Sequence, residues 1–280
     1  MNCIKSLYDR TTECVQGEET SFSKAWKVML PILLYFFIDT TLVRIGAIII
    51  SKIIESGDTY AAFCEANSSV LTVIIKFLAL AIATACMVPT FLDEKPVIIH
   101  KDTPASFYMI SICLGAFGAT CINVLFALSG LTGSSEAYSE VSSHQFTLPL
   151  VYGIILYGLI SPLAEEIIFR GIVYNRLYRN YNELFAIIGS PLLFGLYHGN
   201  YVQALYGFIM GLMIVLTYER YGAFVHTYLI HAAANIAVYI IMSDAVLRSY
   251  IMTPYACAIS GALFIVTLIL LLSSPKQRSK

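Results

Sequence analysis

Three apolar stretches in the second half of the chain carry polar residues, and one aromatic residue, that could do chemistry together. In chain order these residues are Glu165, Glu166, Arg170, Phe194, His198, His231 and Asn235. Ionisable side chains are costly at membrane depth, so they usually face the protein interior or a water-filled cavity. The pattern therefore predicts a polar site enclosed by helices.

Helical geometry predicts how these residues divide their roles. Arg170 lies about 40° around the helix from Glu166 but about 140° from Glu165, since successive residues turn by about 100°. Arg170 is therefore expected to pair with Glu166 and to leave Glu165 free on another face. His231 and Asn235 are four residues apart, so their side chains should project together from one helix.

The depth of these residues in the membrane indicates independently whether their side chains can meet. Glu165 precedes Arg176 by eleven residues, and His231 follows Arg220 by eleven residues. Both side chains should therefore lie roughly 16 Å below the basic side of the membrane. His198 should lie at most about 22 Å deep, at the end of a short helix. All three groups can converge on one cavity.

Together these groups suit the hydrolysis of a peptide bond by an activated water molecule. Glu165 would take the proton of the water as a general base, with a histidine beside it. His231 and Asn235 would donate hydrogen bonds to the oxyanion that forms on the attacked carbonyl. The alternative is that these groups only join helices through polar contacts. Catalysis is favoured because several such polar groups occur together, on helix faces that allow one to act as the base and others to bind the oxyanion.

The composition indicates which elements must hold such a site. Of the 280 residues, 58% are hydrophobic and 12% are charged, whereas a soluble domain is about 25% charged. The chain is therefore predicted to be all-α, a polytopic membrane protein. Its net charge of −1 argues against a nucleic-acid partner. Its seven cysteines form no CxxC pair, so no disulfide framework is expected.

About eight transmembrane helices are predicted, because a span needs roughly 20 apolar residues. They cover 26–53, 69–92, 106–130, 146–179, 183–198, 200–219, 222–242 and 253–274. Residues 1–25 are predicted to be a cytoplasmic N-terminal segment, and 26–280 a single helical membrane domain. The motif-bearing region of that domain is 146–242.

The placement of Lys and Arg predicts the orientation of the chain. With eight helices, one side of the membrane collects thirteen basic residues and the other side two. The thirteen are Lys5, Arg10, Lys24, Lys27, Lys95, Lys101, Arg170, Arg176, Arg179, Arg220, Lys276, Arg278 and Lys280. The opposite side has Lys52 and Arg248. Both termini should therefore be cytoplasmic, and we expect the cavity to be wider toward Arg176 and Arg220 than toward Asn200.

The three motifs resemble those of the CAAX prenyl protease and bacteriocin-processing family, also called the Abi family, relatives of the eukaryotic Ras-converting endopeptidase. The matching residues are Glu165-Glu166-x-x-x-Arg170, Phe194-x-x-x-His198 and His231-x-x-x-Asn235. The resemblance covers about 146–242 and implies an intramembrane endopeptidase. It implies that Glu165 activates the water with help from His198. His231 and Asn235 would then form the oxyanion site, while Glu166 and Arg170 orient the motif.

The resemblance leaves the question of a metal open, because the family has often been described as metalloproteases. Glu165, His198 and His231 could hold zinc, since three protein ligands and one water suit catalytic zinc. We favour a reaction without metal, because the sequence has no His-Glu-x-x-His pair. Asn235 beside His231 also suits oxyanion binding better than a supporting role at a metal.

The resemblance also suggests substrates and a location. The expected substrate is a peptide or protein, such as a bacteriocin-type leader or a membrane-protein tail, and self-immunity to bacteriocins is a function of some family members. The short loops favour a bacterial cell membrane. The alternatives of another class are a proton-coupled transporter and a non-catalytic immunity or scaffold protein.

Overall fold

The computed structural model describes residues 20–94 and 104–275, in which helices dominate and no β-strand occurs. The helices are α1 (Ser21–Ser56), α2 (Ala61–Ala66), α3 (Ser68–Asp93), α4 (Ala105–Leu128), α5 (Glu136–Gln145), α6 (Leu150–Asn180), α7 (Glu183–Tyr197), α8 (Tyr201–Tyr221), α9 (Phe224–Ser243), α10 (Ala245–Ile251) and α11 (Pro254–Ser273). Seven of the basic residues used for orientation lie outside the described residues, namely Lys5, Arg10, Lys95, Lys101, Lys276, Arg278 and Lys280.

The predicted class, an all-α polytopic membrane protein, is confirmed. Within the described residues, seven helices are long and apolar enough to cross a membrane, namely α1, α3, α4, α6, α8, α9 and α11. The remaining predicted span, 183–198, corresponds to α7, which is apolar but has 15 residues. At 1.5 Å per residue α7 reaches about 22 Å, which is shorter than the hydrocarbon core of about 30 Å.

The chain divides after Glu94 into two compact units. The described part of the first unit consists of α1, α2 and α3. In it Gly46 of α1 lies against Ile75 of α3, where an added Cβ would come within 2.7 Å of the isoleucine side chain. A single domain over 26–280 remains a prediction.

The second unit has its hydrophobic core between α4, α8, α9 and α11. Leu114, Ile214 and Ile230 are fully buried there. The axes of α4 and α9 come close at Gly115, because a Cβ on this residue would lie 2.2 Å from the backbone oxygen of Ile230. This close approach fixes the position of α9, the helix that carries His231 and Asn235.

Small residues also allow α7 and α8 to pack closely. A Cβ on Gly195 would lie 2.3 Å from the oxygen of Ala204, and one on Gly207 would lie 3.1 Å from the Cα of Gly195. A Cβ on Gly211 would lie 3.0 Å from the Cα of Pro191. Gly207 and Gly211 therefore serve packing within one chain in this structure.

Helix α6 is not a regular α-helix, although its sequence predicts one long helix. Two segments, Ile154–Ile160 and Ile167–Tyr174, are π-helical, and a short α-helical segment, Ser161–Glu166, separates them. π-helical turns are rare and occur often at functional sites. The α-helical segment between them contains both carboxylates of the first motif.

Candidate active site

One cavity of the second unit brings the predicted site residues together. It has a volume of about 240 Å³, and Glu165, His198, His231 and Asn235 all line it, together with Phe194. These residues come from α6, α7 and α9, so three separate helices contribute to one pocket. The depth argument predicted that Glu165, His198 and His231 converge, and all three line this cavity.

Glu165 is held on both sides of its carboxylate. The hydroxyl of Ser161, one turn earlier in α6, donates a hydrogen bond of 2.6 Å to Glu165 Oε1. Glu165 Oε2 lies 3.5 Å from His231 Nε2. The sequence predicted that Glu165 points away from Arg170 and has a histidine beside it, and His231 is that neighbour. The contact to Ser161, four residues earlier on the same helix face, was not predicted.

His231 lies between the two carboxylates of α6. Its Nδ1 is 2.8 Å from Glu166 Oε1, while its Nε2 faces Glu165. Since an ionised carboxylate can only accept, Nδ1 carries the hydrogen of this bond. The contact to Glu166 therefore sets the orientation of the imidazole ring and leaves Nε2 toward the cavity.

The predicted ion pair between Glu166 and Arg170 is present and fully buried. Arg170 Nη1 donates to Glu166 Oε1 over 2.8 Å, and both side chains have 0% exposure. Arg170 Nη2 donates to the oxygen of Gly211 over 3.2 Å, and the guanidinium carbon lies 4.8 Å from the centre of the Phe194 ring. Placing Arg170 with the basic residues of one membrane side is therefore wrong, because this residue belongs to the protein interior.

Asn235 is anchored to α6 through the backbone of Tyr157. Its Nδ2 donates to the oxygen of Tyr157 over 2.9 Å. The π-helical segment explains why a side chain serves this carbonyl: Ser161 N–H bonds to the oxygen of Leu156, and Pro162 has no N–H. Asn235 keeps its second N–H, which leaves one donor for another partner.

The Phe194 ring packs among the other site residues. It meets the rings of His198 and His231 edge to face, at centroid distances of 5.1 and 5.4 Å. His198 Nδ1 lies 2.9 Å from the oxygen of Phe194, so this nitrogen carries the hydrogen. The Nε2 atom of His198 is then the acceptor when the ring is neutral.

The cavity lies at the opposite end of the helices from the one we expected. Its lining on α6 stops at Glu165, and its lining on α8 stops at Met210, well short of Arg220. At the other end it includes Gln203, close to Asn200. The expectation of a wider cavity toward Arg176 and Arg220 is wrong. Between Glu165 and the Arg176 end of α6, the interior is filled by buried groups such as the Glu166–Arg170 pair and Phe169.

The helix α5 forms part of the cavity wall and was not predicted, because it lies between the predicted spans 106–130 and 146–179. Tyr138, Val141 and Gln145 of α5 line the cavity. The Ser134 hydroxyl, just before α5, lies 2.7 Å from the Tyr201 hydroxyl at the start of α8. Local signals for this helix are Ser135, whose side chain caps it, Glu136 in its first turn and His144 in its last turn.

The residues proposed for zinc do not form a metal site in this arrangement. Within 20–94 and 104–275, no group of three or more His, Cys, Asp and Glu side chains is arranged to hold a metal ion. Of the three residues proposed as ligands, Glu165 and His231 are the two between which a contact is found, at 3.5 Å.

The fold and the cavity define a class, helical membrane proteins with a carboxylate–imidazole site enclosed by their spans. Residues 147–237, which carry the three motifs, match the family described as "Type II CAAX prenyl endopeptidase Rce1-like". A similar protein of Bacillus subtilis (strain 168), named "Putative membrane peptidase YdiL", is 32% identical over 100 residues. That match covers 32% of this chain and 41% of the length of the relative. No solved structure matches the chain.

Proposed function

We propose that this protein is an intramembrane endopeptidase that hydrolyses a peptide bond in the cavity described above. The observation that carries the proposal is the pair formed by Glu165 Oε2 and His231 Nε2, which face each other over 3.5 Å at the cavity wall. The match of the motif region to a peptidase family supports it.

Glu165 is the general base of the proposed reaction. It takes a proton from a water molecule, whose oxygen then attacks the carbonyl carbon of the substrate. When the carbon–nitrogen bond breaks, the same proton passes to the leaving amine. His198 lines the same cavity with Nε2 available as an acceptor, and it would help to orient the water.

His231 and Asn235 are the proposed donors to the oxyanion. Asn235 has one N–H left after its bond to Tyr157. His231 can donate from Nε2 when it is protonated. In that state two cations, Arg170 and His231, balance the two carboxylates Glu165 and Glu166, so the buried cluster carries no net charge. The oxyanion would then have two N–H donors, one from His231 and one from Asn235.

The lining of the cavity supports a substrate segment without charged side chains. Among the described residues that line it, Glu165 is the one carboxylate, and none is Lys or Arg. Apolar side chains such as Phe126, Val141 and Val238 form much of the wall. The segment binds in extended form, because a helical substrate would keep its carbonyls in its own hydrogen bonds. A peptide leader or a membrane-protein tail has such segments, and a bacteriocin-type leader is one example.

The proposed location is a bacterial cell membrane, with both termini in the cytoplasm. Without Arg170, twelve basic residues remain on the predicted cytoplasmic side, against Lys52 and Arg248. Since the cavity lies at the Asn200 end, its mouth then faces away from the cytoplasm. Substrate would reach it from that side or from the bilayer.

Cysteine labelling in intact cells tests this orientation. In a variant without the native cysteines, Glu140→Cys on α5 should react with a membrane-impermeant maleimide. Tyr181→Cys, at the other end of α6, should react only after the cells are opened. The reverse pattern would contradict the orientation and leave the enzyme assignment untouched.

A cleavage assay tests the enzyme assignment. The purified protein in liposomes is incubated with internally quenched peptides whose central residues are uncharged, each with and without a C-terminal prenyl group, and product masses identify the cleaved bond. Glu165→Gln should lower the rate by about 100-fold or more, because Gln cannot accept the proton. Glu65→Gln, an exposed change on α2, is the matched control.

The same purified protein also distinguishes the proposed reaction from a metal-dependent protease, a scaffold or immunity protein and a transporter. A rate that falls with a chelator and returns with zinc would favour the metal-dependent reaction. Folded protein that cleaves none of the peptides, and whose cellular function survives Glu165→Gln, would contradict the proposal and favour a scaffold or immunity role. Proton uptake by liposomes in the absence of cleavage would favour a transporter.

A further inference from the structure

The hydroxyl of Ser161 points in an unusual direction for a helical serine. Hydroxyls inside helices often donate to a carbonyl three or four residues earlier. Ser111, Thr217 and Ser260 do so in this structure, with distances of 2.7 to 2.9 Å to the oxygens of Phe107, Met213 and Ala256. Ser161 instead donates forward, to the carboxylate of Glu165, over 2.6 Å.

The surroundings of Ser161 explain this direction. The carbonyl four residues earlier belongs to Tyr157, and it accepts a hydrogen bond from Asn235 of α9. Glu165, one turn later, offers an acceptor that is charged when ionised, and hydrogen bonds to charged groups are the stronger ones. The packing of α9 against α6 therefore favours the forward direction of the Ser161 hydroxyl.

We propose that Ser161 is a positioning residue for Glu165, an inference that rests on the proposed function. A glutamate side chain has three rotatable bonds, and Ser161 holds one of its two oxygens, Oε1. The other oxygen, Oε2, is thereby kept toward His231 and the cavity. Ser161 lines the cavity as well, so its hydroxyl lies at the reaction site without being the base.

This arrangement also determines which oxygen receives the proton. Oε1 already accepts the hydrogen of Ser161, so the proton from the water goes to Oε2, the oxygen that faces the cavity. No bond to Ser161 has to break when Glu165 is protonated, because Oε1 remains an acceptor. The hydroxyl therefore keeps the base in one geometry through the cycle of proton uptake and release.

Kinetics of Ser161 variants test the proposal. Ser161→Ala should lower kcat by about 10- to 100-fold, the range expected for losing a hydrogen bond to a charged group. KM should change by less than about twofold, since Ser161 does not hold the substrate. Ser161→Thr restores the hydroxyl and should recover most of the rate. Ser260→Ala, which removes a buried hydroxyl bonded to its own helix, should leave kcat unchanged.

Infrared spectroscopy tests the same contact without a substrate. The difference spectrum between wild type and Glu165→Gln isolates the carboxyl band of Glu165. For Ser161→Ala, the same band is obtained by subtracting the spectrum of the double variant Ser161→Ala, Glu165→Gln. The band should lie at a different frequency from that of wild type, and it should return to the wild-type frequency in Ser161→Thr. A band that stays in place would overturn the proposal.

The two measurements separate this proposal from the proposed function. If wild type cleaves, Glu165→Gln is inactive and Ser161→Ala keeps a wild-type kcat, the role of Ser161 is contradicted and the peptidase stands. If Glu165→Gln cleaves like wild type, the proposed function fails. Equal losses of kcat in the Ala and Thr variants would show a steric effect at position 161 and also contradict the positioning role.

Discussion

Replacing Arg170 by alanine should be among the most damaging changes to the stability of this protein. The substitution removes a fully buried guanidinium that donates to Glu166 over 2.8 Å and to the oxygen of Gly211 over 3.2 Å. It also removes the cation that lies over the Phe194 ring. In this variant the Glu166 carboxylate remains buried, with 0% exposure, and His231 is its remaining close partner.

The size of the effect follows from these contacts. Breaking a buried ion pair by removing one partner costs about 3–5 kcal/mol, because the other charge is left uncompensated. The contact between His231 Nδ1 and Glu166 offsets part of this cost, so the lower end, about 3 kcal/mol, is expected. For a chain of this size, the melting temperature should then fall by roughly 10 °C.

Fluorescence-detected size-exclusion chromatography after heating measures this change in detergent. Adding Glu166→Gln to Arg170→Ala should recover part of the loss, since Gln carries no charge but can still accept a hydrogen bond from His231. Arg248→Ala, at an exposed position, is the control and should shift the midpoint by little. An Arg170→Ala midpoint within about 2 °C of wild type would refute the reasoning from a buried, uncompensated carboxylate.

Three further changes have expected outcomes. Gly195→Ala should lower both thermal stability and cleavage rate, because the new Cβ would lie 2.3 Å from the oxygen of Ala204; Gly133→Ala, which has open space around it, should do neither. Asn235→Ala should lower kcat by about 100-fold with a small change in KM, as expected for losing an oxyanion donor; an unchanged kcat would remove Asn235 from the site. Glu166→Gln should lower thermal stability and kcat together, because it leaves the buried Arg170 guanidinium without its carboxylate and weakens the contact that orients His231; a wild-type kcat would show that Glu166 does not orient His231 for the reaction.

Much of the fold could be predicted from the sequence because the membrane restricts the choice of structure. Backbone groups must be satisfied inside each span, so long apolar stretches can only form helices. The predicted spans therefore match the helices one by one, with α7 as the short eighth member. The short helix α5 was missed because it is polar and lies outside the spans, where this restriction does not apply.

Contacts within one helix were also predictable where four residues separate the partners. The pair of Glu166 and Arg170 follows from that spacing, and the structure has it at 2.8 Å. The same rule would have found Ser161 as the partner of Glu165. The serine is less predictable than the arginine, because a helical hydroxyl often donates instead to a carbonyl three or four residues earlier.

The sequence by itself determined the class of protein, the helices and the set of residues that could form a site. Only the tertiary structure decided which of these residues meet and where the cavity lies. His231 reaches Glu166 across 65 positions of the chain, and such a contact depends on how α9 packs against α6 at glycines and π-helical turns. The end of the helices at which space remains depends on which side chains fill the interior, and that is a property of the packed helices together.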